Sequence, residues 1–211
     1  MKKLILAAIT ISFVAVLPSL TSASPIAAGV YQLENHPDGG ARPPLYGLRT
    51  DGLYDGDKNT TVTFSFSANE GADIKLSYND VTDRITIYGT VFGGVDDGDD
   101  WVDPEFHEVY FVYTGVHMDG SRLVADDGEG YIQRAGDAPI ALVSEAGKYS
   151  HAFYMGTNHR KFPGVSGWGW MNHETGGLDT HLDSTDWLFT VGAPIPEPSA
   201  ALVFGIGGLF A

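Results

Sequence analysis

Residues 55–59 form an acidic segment whose spacing suits metal binding. Asp55, Asp57 and Asn59 place an oxygen donor at every second position, as a calcium loop does where it begins. The segment does not continue as an EF-hand, because Thr60 and Phe66 occupy the positions of the turn-forming Gly and the closing Glu. We interpret it as a solvated acidic turn, and bound Ca²⁺ is the alternative.

A second acidic segment covers residues 96–105 and includes Asp96, Asp97 and Asp99. Carboxylates this close in sequence repel one another, and a divalent cation would relieve that repulsion. Turns rich in Asp and Gly are also common between strands, so a solvated turn explains the same residues. Calcium is therefore the one cofactor that the sequence suggests.

Other catalytic and metal-binding patterns do not occur in the sequence. The seven His residues form no His-x-His or His-Glu-x-x-His motif, and the chain has no Cys for thiolate zinc sites, nucleophiles or disulfides. No Gly-x-Ser-x-Gly motif is present, and among 27 acidic residues no spacing singles out a glycosidase pair. We predict a protein without catalysis, with a secreted glycan-active enzyme as an alternative.

The segment Gly167-Trp168-Gly169-Trp170 could bind carbohydrate. Residues two apart in a strand share a face, so Trp168 and Trp170 would form a flat platform on which sugar rings stack. We expect the flanking glycines to leave the indole faces uncovered. A carbohydrate-binding module is therefore an alternative function, and packing of both indoles in the core is the competing interpretation.

Strands are the elements that must position these side chains. Apolar and polar residues alternate with a period of two in about nine or ten short segments, separated by turn signals rich in Gly, Asn and Asp. Residues 41–49, with Pro43 and Pro44, are expected to form an irregular entry into the first strand. The pattern predicts an all-β single domain, an antiparallel β-sandwich or jelly roll.

The charge of the chain limits its partners. The formal net charge is -15, with 12 basic and 27 acidic residues. Nucleic acids and anionic lipids are poor partners, because binding their phosphates requires Lys and Arg.

The first 23 residues have the composition of a secretory signal peptide. Lys2 and Lys3 precede an apolar segment at residues 4–17, and Thr21-Ser22-Ala23 supplies small residues for cleavage. We predict a signal helix that engages the Sec translocon, and cleavage by signal peptidase between Ala23 and Ser24.

The sequence from residue 194 onward has the features of a sorting signal. Pro196-Glu197-Pro198 precedes an uncharged apolar run at residues 199–211, which is short for a helix that spans a bilayer. This arrangement resembles the PEP-CTERM signal of exosortase substrates, although the basic cluster that follows the helix in that family is missing here. The resemblance implies a short sorting helix, processing by exosortase, and a place in the envelope or exopolysaccharide matrix of a Gram-negative bacterium.

Together these signals divide the chain into three parts. We predict a signal peptide at residues 1–23, a β-sandwich ectodomain at residues 24–193 and a sorting signal at residues 194–211. Both termini would associate with the membrane only transiently. The predicted function is that of an exported, non-catalytic component of the cell surface or of the exopolysaccharide matrix.

Overall fold

The fold is built almost entirely from β-strands. The computed structural model describes residues 23–37, 47–51, 61–96, 101–125, 127–143, 153–157, 164–173 and 184–196. Within these ranges, the one helical element is a single 3-10 turn at Ala68–Glu70. The predicted all-β antiparallel class is therefore confirmed. The predicted helices at the two ends lie outside the described residues.

The strands are antiparallel to their neighbours throughout the described ranges. They are β1 (Gly29–Asn35), β2 (Leu48–Asp51), β3 (Thr61–Ser65), β4 (Asp73–Asn79), β5 (Arg84–Asp96), β6 (Trp101–Thr114), β7 (His117–Asp119), β8 (Arg122–Ala125), β9 (Asp127–Arg134), β10 (Ile140–Val143), β11 (Phe153–Gly156), β12 (Ser166–His173) and β13 (Ser184–Pro194).

The start of the fold differs from the prediction. Residues 41–49 do not lead into the first strand, because β1 precedes them and Leu48 and Arg49 already belong to β2. Strand β1 offers a weak sequence signal, since Tyr31 and Leu33 are its two alternating buried residues.

The sheet closes on itself. Hydrogen bonding joins the strands in the order β3-β2-β13-β1-β4-β5-β6-β9-β10-β12-β11-β8-β7, and β3 also pairs with β5 while β13 pairs with β12. Two series of paired strands connect β13 to β5. One runs through β1 and β4, and the other runs through β2 and β3. Facing parts of this one sheet enclose the core, as the two layers of a β-sandwich do.

A long bent hairpin forms one wall of the closed sheet. Strand β6 pairs with β9 as far as Thr114 and Asp127, and β7 then pairs with β8 beyond the bend at Gly115. Gly115 has a φ of 65°, a left-handed conformation that Gly adopts readily. Strand β11 pairs with β8, and β10 pairs with β9, so β12 contacts both halves of the hairpin through β10 and β11.

Aromatic side chains fill the interior. Phe111 and Trp187 stack with their ring planes 2° apart and their centroids 4.5 Å apart. Tyr113 packs against Phe153 at 4.7 Å, and both side chains are fully buried. Rings of this size remove 150–250 Å² each from water, which makes them large contributors to the stability of the fold.

Two polar atoms in this interior have no hydrogen-bond partner among the described residues, the hydroxyl of Tyr113 and the indole nitrogen of Trp187. Burial raises the pKa of Tyr113 well above its usual value, so the hydroxyl keeps its proton. An unpaired buried donor costs about 1–3 kcal/mol, so these two groups oppose the stability that their rings provide.

Candidate functional site

Strand β12 places glycine on one face and tryptophan on the other. Gly167 and Gly169 are buried on the inner face, where they lie beside the rings of Phe189 and Trp187. Successive side chains alternate across a strand, so Trp168 and Trp170 share the outer face, as the spacing predicts.

The two glycines have a packing role in this strand. A Cβ at Gly167 would lie 2.3 Å from Phe189 Cζ, and one at Gly169 would lie 2.0 Å from Trp187 Nε1. Both distances are far below van der Waals contact, so a larger residue would displace a core ring. The interpretation that these glycines uncover the indoles was wrong, because they lie on the opposite face of the strand.

Trp168 lies in an aromatic row that crosses neighbouring strands. Its direct partner on β11 is Tyr154, and the two ring centroids are 5.7 Å apart with planes tilted by 31°. The guanidinium carbon of Arg122 lies 5.1 Å from the centre of the Tyr154 ring, within cation–π range. On the other side, Leu188 of β13 is paired with Trp168. We call these four residues the β12 surface.

The β12 surface is accessible to solvent. Trp168, Tyr154 and Leu188 are each partly exposed, and Arg122 is exposed. Tyr154 and Arg122 were missed from the sequence, since only the register of β8, β11 and β12 brings them beside Trp168. A partly exposed aromatic pair beside a cation is a surface on which a ring with an apolar face can stack.

Trp170 has a different environment from Trp168. It is 5% exposed, and its partner in the register with β13 is Asp186. The structure therefore gives Trp168 an aromatic neighbour on the adjacent strand, whereas it buries Trp170. The accessible rings of this surface lie side by side across strands, about 4.8 Å apart in the direction of hydrogen bonding.

The predicted calcium segments lie largely beyond the described ranges. Asp55, Asp57, Asn59, Asp97 and Asp99 are outside them, and Asp96 is the last residue of β5, paired with Trp101. Within the described ranges, no group of three His, Asp or Glu side chains could hold a metal ion.

One buried histidine has an altered titration. His107 is 2% exposed on the inner side of β6, with its ring 4.6 Å from that of Phe64. The pKa of His107 is lowered from 6.5 to about 4, mainly by burial and to a smaller extent by the nearby Arg134, while a backbone hydrogen bond at Glu105 acts in the opposite direction. The imidazole is therefore neutral at pH 7 and packs as part of the core. The sequence offered no signal for this, because the residue stands among alternating strand residues.

The residues at the predicted processing points are partly described. Ala23 and Ser24 are exposed ahead of β1, and the Ser24 hydroxyl donates a hydrogen bond to the carbonyl of Ile26 at 2.6 Å. Pro196 is exposed after β13, whereas Glu197 and Pro198 lie outside the described residues. In the part of the chain that the structure describes, no helix is long and apolar enough to cross a bilayer.

Comparisons with protein-family models, curated proteins and solved structures find no match to this chain.

Proposed function

We propose that this protein is an exported, non-catalytic component of the bacterial cell surface or exopolysaccharide matrix that binds polysaccharide through the β12 surface. The observation that carries this proposal is the partly exposed pair of Trp168 and Tyr154, 5.7 Å apart on adjacent strands.

Sugar rings match such a surface because one side of a ring presents C–H groups while its edge carries hydroxyls. The C–H side packs against an aromatic face, which removes apolar area from water. The guanidinium of Arg122 lies over the Tyr154 ring and supplies several N–H donors, each of which can bond a hydroxyl oxygen. The surface lies on three paired strands, β8, β11 and β12, and on β13, so its side chains are held in register with one another.

Export is the second part of the proposal. Residues 1–23 would direct the chain to the Sec translocon, and signal peptidase would cut between the exposed Ala23 and Ser24. Exosortase would then process the chain near Pro196, leaving residues 24–193 as a β-sandwich ectodomain outside the cell.

Mass spectrometry of the exported protein tests this processing. We expect a new N-terminus at Ser24 and the loss of residues 199–211. Mature material that keeps those apolar residues would contradict the exosortase assignment.

Retention in gels that contain polysaccharide tests the binding. The probes are the exopolysaccharide of the expressing bacterium, cellulose derivatives, dextran and alginate. We expect Trp168→Ala and Tyr154→Ala each to weaken retention by about tenfold on the polysaccharide that the wild type binds, equivalent to about 1.4 kcal/mol. Val81→Ala is the matched control, because Val81 is 88% exposed in the β4–β5 turn. Unchanged retention in a folded double variant would overturn the proposal.

Calcium at the two acidic segments stays a prediction, and it needs its own measurement. Binding to the native state would raise the melting temperature as occupancy rises. An identical melting temperature in millimolar calcium and in excess chelator would leave solvated turns as the explanation.

A further inference from the structure

A second aromatic surface lies on the outer face of β5, β6 and β9. Tyr88, Tyr110 and Tyr131 stand directly opposite one another on these three strands. The rings of Tyr110 and Tyr131 stack with centroids 5.9 Å apart and planes 21° apart, and Tyr110 is 39% exposed. The row presents aromatic surface to solvent on strands that have no hydrogen-bonded pairing with β12.

A pair of phenylalanines runs parallel to the tyrosine row. Phe92 and Phe106 are opposite each other on β5 and β6, with ring centroids 4.8 Å apart, and Phe106 is 48% exposed. Trp101 packs edge-on against Phe92 at 5.7 Å and donates a hydrogen bond from its indole nitrogen to Thr63 at 2.7 Å. The contact with Trp101 therefore restrains the Phe92 ring of this pair.

Polar side chains lie between the two aromatic rows. Glu108 is opposite Thr90 on one side and Gln133 on the other. These three residues and Phe106 line a shallow cavity of about 360 Å³. Phe106 and Tyr110 are four positions apart along strand β6, which is about 13–14 Å. We call this arrangement, with Tyr110 on one side and Phe106 on the other, the β6 groove.

The charges around the β6 groove disfavour anions. Arg134 lies 3.3 Å from Glu105 and is also bonded to Asp137, so its guanidinium already has two carboxylate partners. Glu108 adds a further carboxylate to the lining of the cavity, so the acidic groups here outnumber this one guanidinium. An anionic polysaccharide would meet net repulsion here, whereas an uncharged ligand would not.

We infer that the β6 groove is a second carbohydrate site, which binds an uncharged stretch of several sugar units of a glycan. Phe106 and Tyr110 contact the apolar sides of different sugar units along the glycan, and Glu108, which lies between them on β6, accepts hydrogen bonds from sugar hydroxyls through its two carboxylate oxygens. Gln133 is held in place by its own hydrogen bond to the carbonyl of Asp137 at 2.8 Å, which orders this side of the cavity.

This inference does not depend on the β12 surface, because the two sets of residues lie on different strands. If both sites bind, one molecule can contact two glycan strands at once. Two-site contact raises the apparent affinity for a polymer above that of either site, and it allows chains to be linked.

Titration calorimetry with neutral probes tests the groove. The probes are cellohexaose, isomaltohexaose, mannohexaose and chitohexaose, and oligomeric alginate is the anionic comparison. We expect a neutral hexamer to bind, with affinity reduced at least about tenfold by Tyr110→Ala, Phe106→Ala or Glu108→Gln. Alginate should not compete with it. The Glu108→Gln variant keeps the size of the side chain, so it tests the carboxylate even where an aromatic truncation disturbs the sheet.

Val81→Ala is the control and should keep the affinity for the neutral hexamer. Trp168→Ala removes binding at the β12 surface, and the binding that Tyr110→Ala weakens should remain in it. Loss of all neutral-hexamer binding in Trp168→Ala would assign that binding to the β12 surface and overturn the groove. Failure of every neutral hexamer to bind the wild type would overturn it as well. So would a concentration-dependent dimer that Tyr110→Ala converts to monomer, because the face would then be covered by a second copy of the chain.

Discussion

The inner and outer faces of the same short strand, β12, are built on opposite principles. On the inner face, Gly167 and Gly169 have no side chains, so rings from β13 occupy the space beside them. On the outer face, Trp168 projects toward Tyr154 of the next strand and keeps part of its surface in water. The role of each tryptophan therefore depends on the side chains of the neighbouring strand. The role of each glycine depends on the aromatic ring that packs against it.

The contrast extends to the two kinds of aromatic contact. Inside, Phe111 and Trp187 stack almost in parallel and are fully buried, so their contribution is to stability. Outside, rows such as Tyr110 and Tyr131 combine stacking with exposure and polar neighbours, so they can contribute to binding. Substitutions on the two faces should therefore change different measurements.

The largest effect is expected from filling the space on the inner face. Gly169→Ala should lower the free energy of unfolding by about 3 kcal/mol, because its Cβ would lie 2.0 Å from Trp187 Nε1. Urea denaturation measures the change. Trp187→Leu removes the clashing ring, so the double variant should be more stable than the sum of the two single losses predicts. Strict additivity would show that the two positions do not compete for space.

The second largest effect is expected at acid pH, where the protonation of His107 should change the stability of the fold. The pKa of His107 is about 4 in the fold, against 6.5 ordinarily, so between these values the unfolded chain binds a proton that the folded chain does not. Stability should therefore fall as the pH drops from 6.5 to 4, by up to about 3 kcal/mol from this residue. In His107→Gln that part of the pH dependence should disappear. Parallel stability curves for the two proteins would contradict the assignment.

The outer face can be divided by comparing its two tryptophans. Trp170 is 5% exposed, so Trp170→Ala should cost about 2–3 kcal/mol of unfolding free energy. Trp168 is partly exposed, and Trp168→Ala should cost about 1 kcal/mol or less. Chemical denaturation of both variants gives the comparison. Equal losses would mean that Trp168 is a packing residue like its neighbour, and would weaken its assignment to binding.

The smallest effect, and one of opposite sign, is expected from an interior hydroxyl. Tyr113→Phe removes a buried O–H that has no partner among the described residues, so stability should stay the same or rise by up to about 1 kcal/mol. Tyr31→Phe is the control, because the Tyr31 hydroxyl donates to the carbonyl of Ala27 at 2.9 Å and its loss should cost about 1 kcal/mol. Thermal denaturation of both variants tests the pair, and a clear loss in Tyr113→Phe would reveal a hydrogen bond at that hydroxyl.

The local periodicity of the sequence predicted most of the fold but little of the candidate site. Alternation at Ile74, Leu76 and Tyr78 identified β4, and the spacing of Trp168 and Trp170 gave their common face. The pairing between segments that are distant in the chain could not be predicted from the sequence. Tyr154 joins Trp168 only through the β11–β12 register, and sequence spacing does not encode which residues of two strands come to lie opposite.

The glycines were misread for a related reason. A sequence shows that Gly169 lacks a side chain, but the ring that uses the space belongs to β13, many residues later. Burial of Trp170 likewise depends on what is packed around it, so alternation alone could not distinguish it from Trp168.

The pairing of β1 with β13 has a consequence for the connectivity of the chain. Tyr31 is opposite Pro194, and the Ile195 amide donates to the carbonyl of Val30 at 2.7 Å. The beginning of β1 and the end of β13 therefore lie side by side. A short linker between them, with new termini opened at the exposed turn around Val81, would give a circular permutant that keeps these strand pairings. For the same reason the whole domain could be inserted into a surface loop of another protein, with both connections made at one place.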